Sequence, residues 1–369
     1  MRPKILFGLI CALLLAALVG ASALPPNRVQ AGTALQGVPR LDGKNIYFSE
    51  AFGEASRFDR GPTGLSRFAG LLRLLGANLY TLEWRTGIPA DADLLVIAGP
   101  LTDIGPDQTA WLWAYLQNGG RLLLITEPIV QNYKALPFDK GLLQLMWTDM
   151  GLRARNDVVV VEGGLREVAA PIEAVAEGEL TPTPASPLTV PALVPVFTTT
   201  ALTFDNPMAD GVDGELAFFL ARSLEVDSTL RDATVTTLIS SPAEFYGESA
   251  YAQYLADGIV EYNIGADTTR SALALAASFE KPDTGARVVL IGDRDFATNA
   301  AGFQTSPPYS SAFLYPGNVR FMVNAVAWLL DVAPVAGELS FPAPAETATP
   351  TITPSPTPIP PTATPAPGS

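Results

Sequence analysis

Residues 90–128 read ADADLLVIAGPLTDIGPDQTAWLWAYLQNGGRLLLITEP, and this stretch decides the fold. Asp93–Ala98 is a near-continuous apolar run that ends at Gly99, short enough for a strand buried on both faces. Pro106 and Asp107 open a helix-period segment that Gly119-Gly120 closes after Asn118, since proline suits the first helical turn and glycine the stop. Trp111, Leu112, Tyr115 and Leu116 share its apolar side, where core packing is expected of the two aromatics and cofactor stacking is the alternative. Arg121–Thr126 then supplies a second apolar strand. Strand, helix and strand within this span predict one βαβ unit of a parallel sheet with helices on its faces.

The same alternation appears on either side. Asn45–Phe48 reads as a strand, Gly64–Leu75 as a helix with Leu65, Phe68, Leu71, Leu72 and Leu75 on one face, and Asn78–Leu82 as the returning strand. Near the other end, Arg287–Ile291 is a strand and Asn318–Leu330 a helix, with GDRDFATNAAG just beyond the strand. Between Leu152 and Ala277 the β-type runs are 158–161, 194–198, 217–220, 234–239 and 273–279, separated by irregular polar segments. Sheet extensions and hairpins are expected there. Asn206-Pro207 and Asp210-Gly211 read as turns.

The two ends differ in kind from the middle. Arg2 and Lys4 precede an apolar stretch from Ile5 to Leu24, with Ala21-Ser22-Ala23 as a small-residue cleavage site; residues 1–24 therefore read as a signal peptide or as an N-terminal membrane anchor. Residues 25–42 are expected to be a linker, and residues 43–335 a single α/β domain. From residue 336 to 369 the chain reads as a disordered Pro/Thr-rich tail, because FPAPAETATPTITPSPTPIPPTATPAPGS cannot build a core. Residues 180–191 (LTPTPASPLTVP) have similar character and read as an exposed insertion loop. The chain is expected outside the cytoplasm, anchored to the cell membrane or secreted.

Composition narrows the chemistry. The chain has no histidine, and its one cysteine, Cys11, lies in the apolar leader. Serine-histidine and cysteine-histidine nucleophiles and histidine-ligated metal sites are thereby closed off. Lys plus Arg number 23 against 37 Asp plus Glu, a net charge of -14, so nucleic acid is not an expected partner. No glycine spacing of the GxGxxG or GxxxxGK kind follows a strand, so no nucleotide cofactor is expected, and none of another class is indicated.

Residues 90–128, ARVVLIGDRDFATN (286–299) and NVRFMVNAVAWLL (318–330), in that order and spacing, resemble the extracytoplasmic auxiliary subunits of gliding-motility-type ABC transport systems. GPTGLSRFAGLLRLLGANLYTLEW (61–84) is similar to the start of a related uncharacterised domain of membrane-associated proteins. The resemblance covers most of 44–331 and implies a degenerate class I glutamine amidotransferase-like, flavodoxin-like α/β fold, with an ABC permease and an ATPase as partners. In the amidotransferase-like enzymes the nucleophilic cysteine sits at the turn after the strand matching Arg121–Thr126. This chain has Thr126-Glu127-Pro128 there, and it carries the Pro/Thr tail where the motility subunits have a carboxy-terminal membrane helix.

Open α/β sheets bind ligands at the carboxyl ends of their strands, which makes Gly99, Glu127, Asp293, Asp295 and Asn299 the candidate ligand-binding residues, with Gly292 beside them. Asp293 and Asp295 with Asn299 could hold a hard divalent cation, or could cap the turn after the strand. Glu127 with Asp293 could form a carboxylate pair for glycoside hydrolysis. The residues leave three functions open: a non-catalytic binding or scaffolding component of an ABC-type transport system, a free-standing module binding a ligand or cell-wall polymer, or a carboxylate- or metal-dependent hydrolase.

Overall fold

Leu94–Ala98 (β3) and Arg121–Ile125 (β4) lie side by side in parallel, Leu95 opposite Leu122 and Ala98 opposite Ile125. They form the middle of a nine-stranded sheet in a computed structural model that describes residues 35–36, 38–128, 141–168, 188–258, 263, 265–308, 310, 312–333 and 338–339. The remaining strands are β1 (Asn45–Phe48), β2 (Asn78–Thr81), β5 (Leu152–Ala154), β6 (Leu224–Val226), β7 (Thr234–Ser240), β8 (Ala274–Lys281) and β9 (Ala286–Ile291). Their order is β2-β1-β3-β4-β9-β8-β6-β5, with β7 also paired to β8. The first five run parallel. Beyond them the pairs are antiparallel, because β8 and β9 are joined only by Pro282–Gly285, too short for a parallel crossover. The sheet is thus mixed, and its parallel half has the doubly wound strand order of flavodoxin-like folds.

Strand alternation sends successive side chains to opposite faces, and both faces are dry. Leu94, Val96 and Ala98 of β3 join Leu123 and Ile125 of β4 in one cluster with helix α1 (Ser66–Leu74). Leu95, Ile97, Leu122 and Leu124 pack into the other with Leu112 and Leu116 of α2 (Pro106–Gln117) and Met146 of α3 (Gly141–Met150). Tyr115 packs against that cluster and donates its hydroxyl to the carbonyls of Ala92 and Arg121, a packing role. A short helix, α4 (Tyr251–Asp257), caps a separate small sheet made by 246–248, 158–168 and 188–194, where the Tyr254 hydroxyl accepts from Leu193 N at 2.8 Å.

Helix α5 (Pro316–Leu329) is buried on every side. Its apolar residues face the sheet; Asn318, Arg320 and Asn324 meet the covering segment 206–218. Asn318 accepts from Ala217 N at 2.8 Å and donates to Ala217 O at 2.9 Å and Phe296 O at 3.3 Å. Asn324 donates to Met208 O and Asp210 O, and Arg320 Nε to Asp210 O. The Asn206 side chain in turn accepts from Met208 N, closing the expected turn. A polar stripe on a buried helix is tolerated because each group finds a backbone partner.

Three boundaries differ from those read in the sequence. Val38 and Leu41, placed in a linker, are buried core residues, and Leu35–Gln36 pairs antiparallel with Glu338–Leu339, within the stretch assigned to the tail. The expected insertion loop 180–191 ends in a strand instead: Leu188–Val194 pairs with Val158–Val168. Pro191 falls opposite Leu165 at the register shift there, a site where a residue lacking an N–H is tolerated. The leader 1–24 and most of the Pro/Thr tail lie outside the described residues. Among the described residues no helix is long and apolar enough to cross a membrane.

Asn318→Ala would leave the amide and carbonyl of Ala217 in the covering segment and the carbonyl of Phe296 without their buried partner, at about 1–3 kcal/mol for an orphaned group. The urea midpoint should fall by an amount equivalent to about 2–4 kcal/mol with the denaturant slope unchanged. An unchanged midpoint would mean that the covering segment does not depend on this side chain.

Candidate functional site at the strand ends

All five parallel strands finish on one side of the molecule, so the segments that follow them converge. Beyond β4, Thr126 N donates to Ile291 O at 2.8 Å, and Gly99 N, beyond β3, donates to Ile125 O at 2.7 Å. These two bonds fasten the ends of β3, β4 and β9 together. Glu127 follows β4, and its carboxylate lies 3.0 Å from Arg294 Nη1 in an ion pair whose side chains are only 10% and 17% exposed.

Gly99 explains how Arg294 gets there. Its φ is +67°, and a Cβ built on it would sit 2.1 Å from Arg294 Cδ. The missing side chain is the space through which the arginine stem crosses the end of β3. Arg222, 3% exposed, approaches from the other side, donating Nε to Arg155 O at 2.6 Å and Nη1 to the backbone carbonyl of Glu127 at 3.3 Å. Gly292 stands against the Arg222 backbone, leaving no room for a Cβ.

Asp293 is fully buried. Its Oδ2 accepts from Phe219 N at 2.6 Å and Leu220 N at 3.4 Å, and its Oδ1 from Asp295 N at 2.8 Å. It caps the single helical turn Arg294–Phe296 and fastens segment 217–220 to the sheet end. Asp295 accepts from the Thr298 hydroxyl at 2.9 Å. Asn299 is spent elsewhere: its Oδ1 accepts from Arg67 N in the first turn of α1, and its Nδ2 donates to Asp59 O and Gly61 O. The structure therefore brings Gly99, Glu127, Gly292 and Asp293 to one place and engages Asn299 at the start of α1. Among the described residues no group of three or more Asp, Glu, Cys or His side chains is arranged to hold a metal ion.

Burial governs the charges. It raises Glu127 from its ordinary 4.5 to about 8, outweighing the opposing pull of Arg294, with Asp295 and Asp293 adding to the rise. Burial and the neighbouring Asp295 push Asp293 up to about 7, although its three backbone donors act the other way. Arg222 is lowered to about 10 by burial, against Asp157 and Glu127, which favour its charge.

Two sets of residues went unread in the sequence. The arginines of the site are one: the arginine inside GDRDF sits between the two aspartates that drew attention, and Arg222 lies in a stretch with no periodic signal. The other lies past β1 and β2, where Trp84 Nε1 donates to Ser49 Oγ at 2.8 Å, Ser49 Oγ to Glu54 Oε1 at 2.5 Å and Arg57 Nη2 to Thr81 Oγ1 at 2.7 Å. Glu50 there accepts from Ser56 Oγ and Arg57 N, both at 2.9 Å. Two glutamates within SEAFGEAS, directly after a strand, were the available signal.

The family model for the auxiliary component of an ABC-type uncharacterized transport system matches residues 45–325. This chain belongs to that family. The match begins at β1 and ends inside α5, so this ABC-type auxiliary protein carries its family signature across the whole parallel half of the sheet and the strand-end site. The N-terminal domain of mmIFT52 is similar in structure at 14% identity and a TM-score of 0.48, covering 78% of this chain and 97% of that one. A protein described as ThuA-like from Bacteroides uniformis is similar at 10% identity and a TM-score of 0.39, covering 78% and 90%. A comparison with curated proteins finds no match.

The raised carboxylates make stability depend on pH with a definite sign. Between about 4.5 and 8 the folded protein keeps a proton on Glu127 that the unfolded chain releases, so the stabilisation present below pH 4.5 is lost as pH rises toward 8. Glu127→Gln removes that proton exchange. Urea midpoints measured from pH 5 to pH 8 should fall for the native chain and fall less steeply for the variant; parallel profiles would refute the raised value.

Proposed function

We propose that this chain is a non-catalytic binding or scaffolding component of an ABC-type transport system, held outside the cytoplasm by its N-terminal apolar segment and working beside a permease and an ATPase. Family membership over residues 45–325 is the observation that carries this reading. The chemistry of the strand ends supports it. Where the resemblance to amidotransferase-like enzymes puts a nucleophile, this chain has Glu127, and its carboxylate is engaged by Arg294. The chain has no histidine to act as a general base.

A carboxylate-dependent hydrolase is less well supported, since Asp293 spends both oxygens on backbone amides and presents neither to a substrate. A cluster whose buried charged groups already engage one another suits a binding or scaffolding role. It does not suit a reaction that needs a free base.

Purification of the full-length protein from its native membranes in mild detergent, followed by mass spectrometry, tests this reading. Recovery of an ATPase and a multi-spanning permease in stoichiometric amounts is the expected result. Recovery of the protein alone, under conditions where a control complex survives, would overturn it.

A further inference from the structure

We infer that the domain stands with the N-terminal ends of its parallel strands toward the bilayer and the strand ends bearing the Glu127–Arg294 pair facing away, and that the Pro/Thr tail begins on the bilayer side. This rests on the reading of residues 5–24 as a membrane anchor. The observation beneath it is the pairing of Leu35–Gln36 with Glu338–Leu339, Leu35 opposite Leu339 and Gln36 opposite Glu338. In an antiparallel pair with this register, the chain before Leu35 and the chain after Leu339 leave from the same end of the ribbon.

The ribbon's place on the domain follows from its two connections. On one side the chain runs from Val38 to Leu41, whose N–H donates to Leu75 O just past the C-terminus of α1, and then into the first residue of β1. On the other side it leaves α5, whose C-terminal end is held from the start of two strands: Arg121 of β4 donates to Leu330 O at 3.3 Å and Arg287 of β9 to Trp328 O at 2.6 Å. Both connections therefore meet the fold at the strand N-termini. The Glu127, Asp293 and Arg294 cluster lies past the strand C-termini, with five-residue β4 between them, about 17 Å at the usual strand rise.

Chain length completes the argument. Residues 25–34 join the apolar segment to the ribbon, and fully extended they span at most about 36 Å. The face bearing Asn118, Asp283 and Asp331 is thereby held toward the bilayer surface. The C-terminal ends of the strands then face partners arriving from the extracytoplasmic side.

The test uses the full-length chain with Cys11→Ser, which has no other cysteine, and two single-cysteine variants at exposed positions. Asp283→Cys lies in the β8–β9 turn at the strand N-termini and Thr102→Cys just past the C-terminus of β3. Each is labelled with a fluorophore and reconstituted into phosphatidylcholine vesicles containing a lipid with a nitroxide on its headgroup. Quenching several-fold stronger at 283 than at 102 is expected. Equal or reversed quenching in protein that floats with the vesicles overturns the orientation, whereas protein that does not float overturns the anchor reading on which it rests. A Leu35→Cys, Leu339→Cys pair checks the ribbon independently, because directly opposed residues are close enough to cross-link. Mild oxidation should remove both free thiols, and two persisting thiols in folded protein would also overturn the inference.

Discussion

Every residue of Leu94–Ala98, and every residue of β4 after Arg121, is buried, so the centre of the sheet has no wet face. The rest of the structure depends on that constraint. Burying a leucine side chain stabilises by about 1.5–3 kcal/mol, but only if something covers it on both sides. Helices α2 and α3 cover one face, and α1 and α5 the other. Because α5 is itself buried all round, it needs a further coat, and the chain supplies one in segment 206–218. That coat is attached by side-chain to backbone bonds from Asn318, Arg320 and Asn324, which give the burial of α5 its specificity.

Parallel strands impose a second consequence. Since β1, β3, β4 and β9 all end on one side, the polar segments leaving them gather there, next to a core that excludes water. Carboxylates and guanidinium groups in such a position pay a desolvation penalty that pairing only partly offsets. At Glu127 and Asp293 burial raises the carboxylates above their ordinary values, although Arg294 and three backbone donors act the other way. Such an arrangement contributes little net stability, and what it fixes is geometry: Arg294 and Arg222 tie two chain segments to one glutamate by its carboxylate and its backbone carbonyl.

The parallel half of this fold was legible because each of its units repeats the same pattern, an apolar run, a helix with period 3.6 and a glycine stop. Asn45–Phe48 was read to the residue, and α2 and β9 to within one. The antiparallel half was less legible. β5 and β6 are three residues each, too short to show a period, and their partners lie far off in sequence. α3 has helical spacing in Leu142, Leu145, Met146 and Met150, but no long strand follows it to complete a recognisable unit. At the site, the strand-end positions Gly99, Glu127 and Asp293 could be located from topology alone. The arginine partners could not, since Arg222 reaches the site through a non-local pairing, and Asn299, named with the strand-end positions, is claimed by the start of α1 instead.

The sheet also separates two kinds of work. At its N-terminal edge, Arg121 and Arg287 bind the last carbonyls of α5, a placement favoured by the partial negative charge of a helix C-terminus. The two ends of the folded chain pair nearby. At its C-terminal edge the strands are followed by Gly99 and Gly292 and by the buried charges of Glu127 and Asp293. A domain built this way holds the C-terminal end of α5 on one edge of the sheet and its buried charge pairs on the other. Helix α5 spans that division: Arg121 and Arg287 hold its C-terminal end, and Asn318 holds its N-terminal end through Ala217 and Phe296, next to the Asp293 cluster.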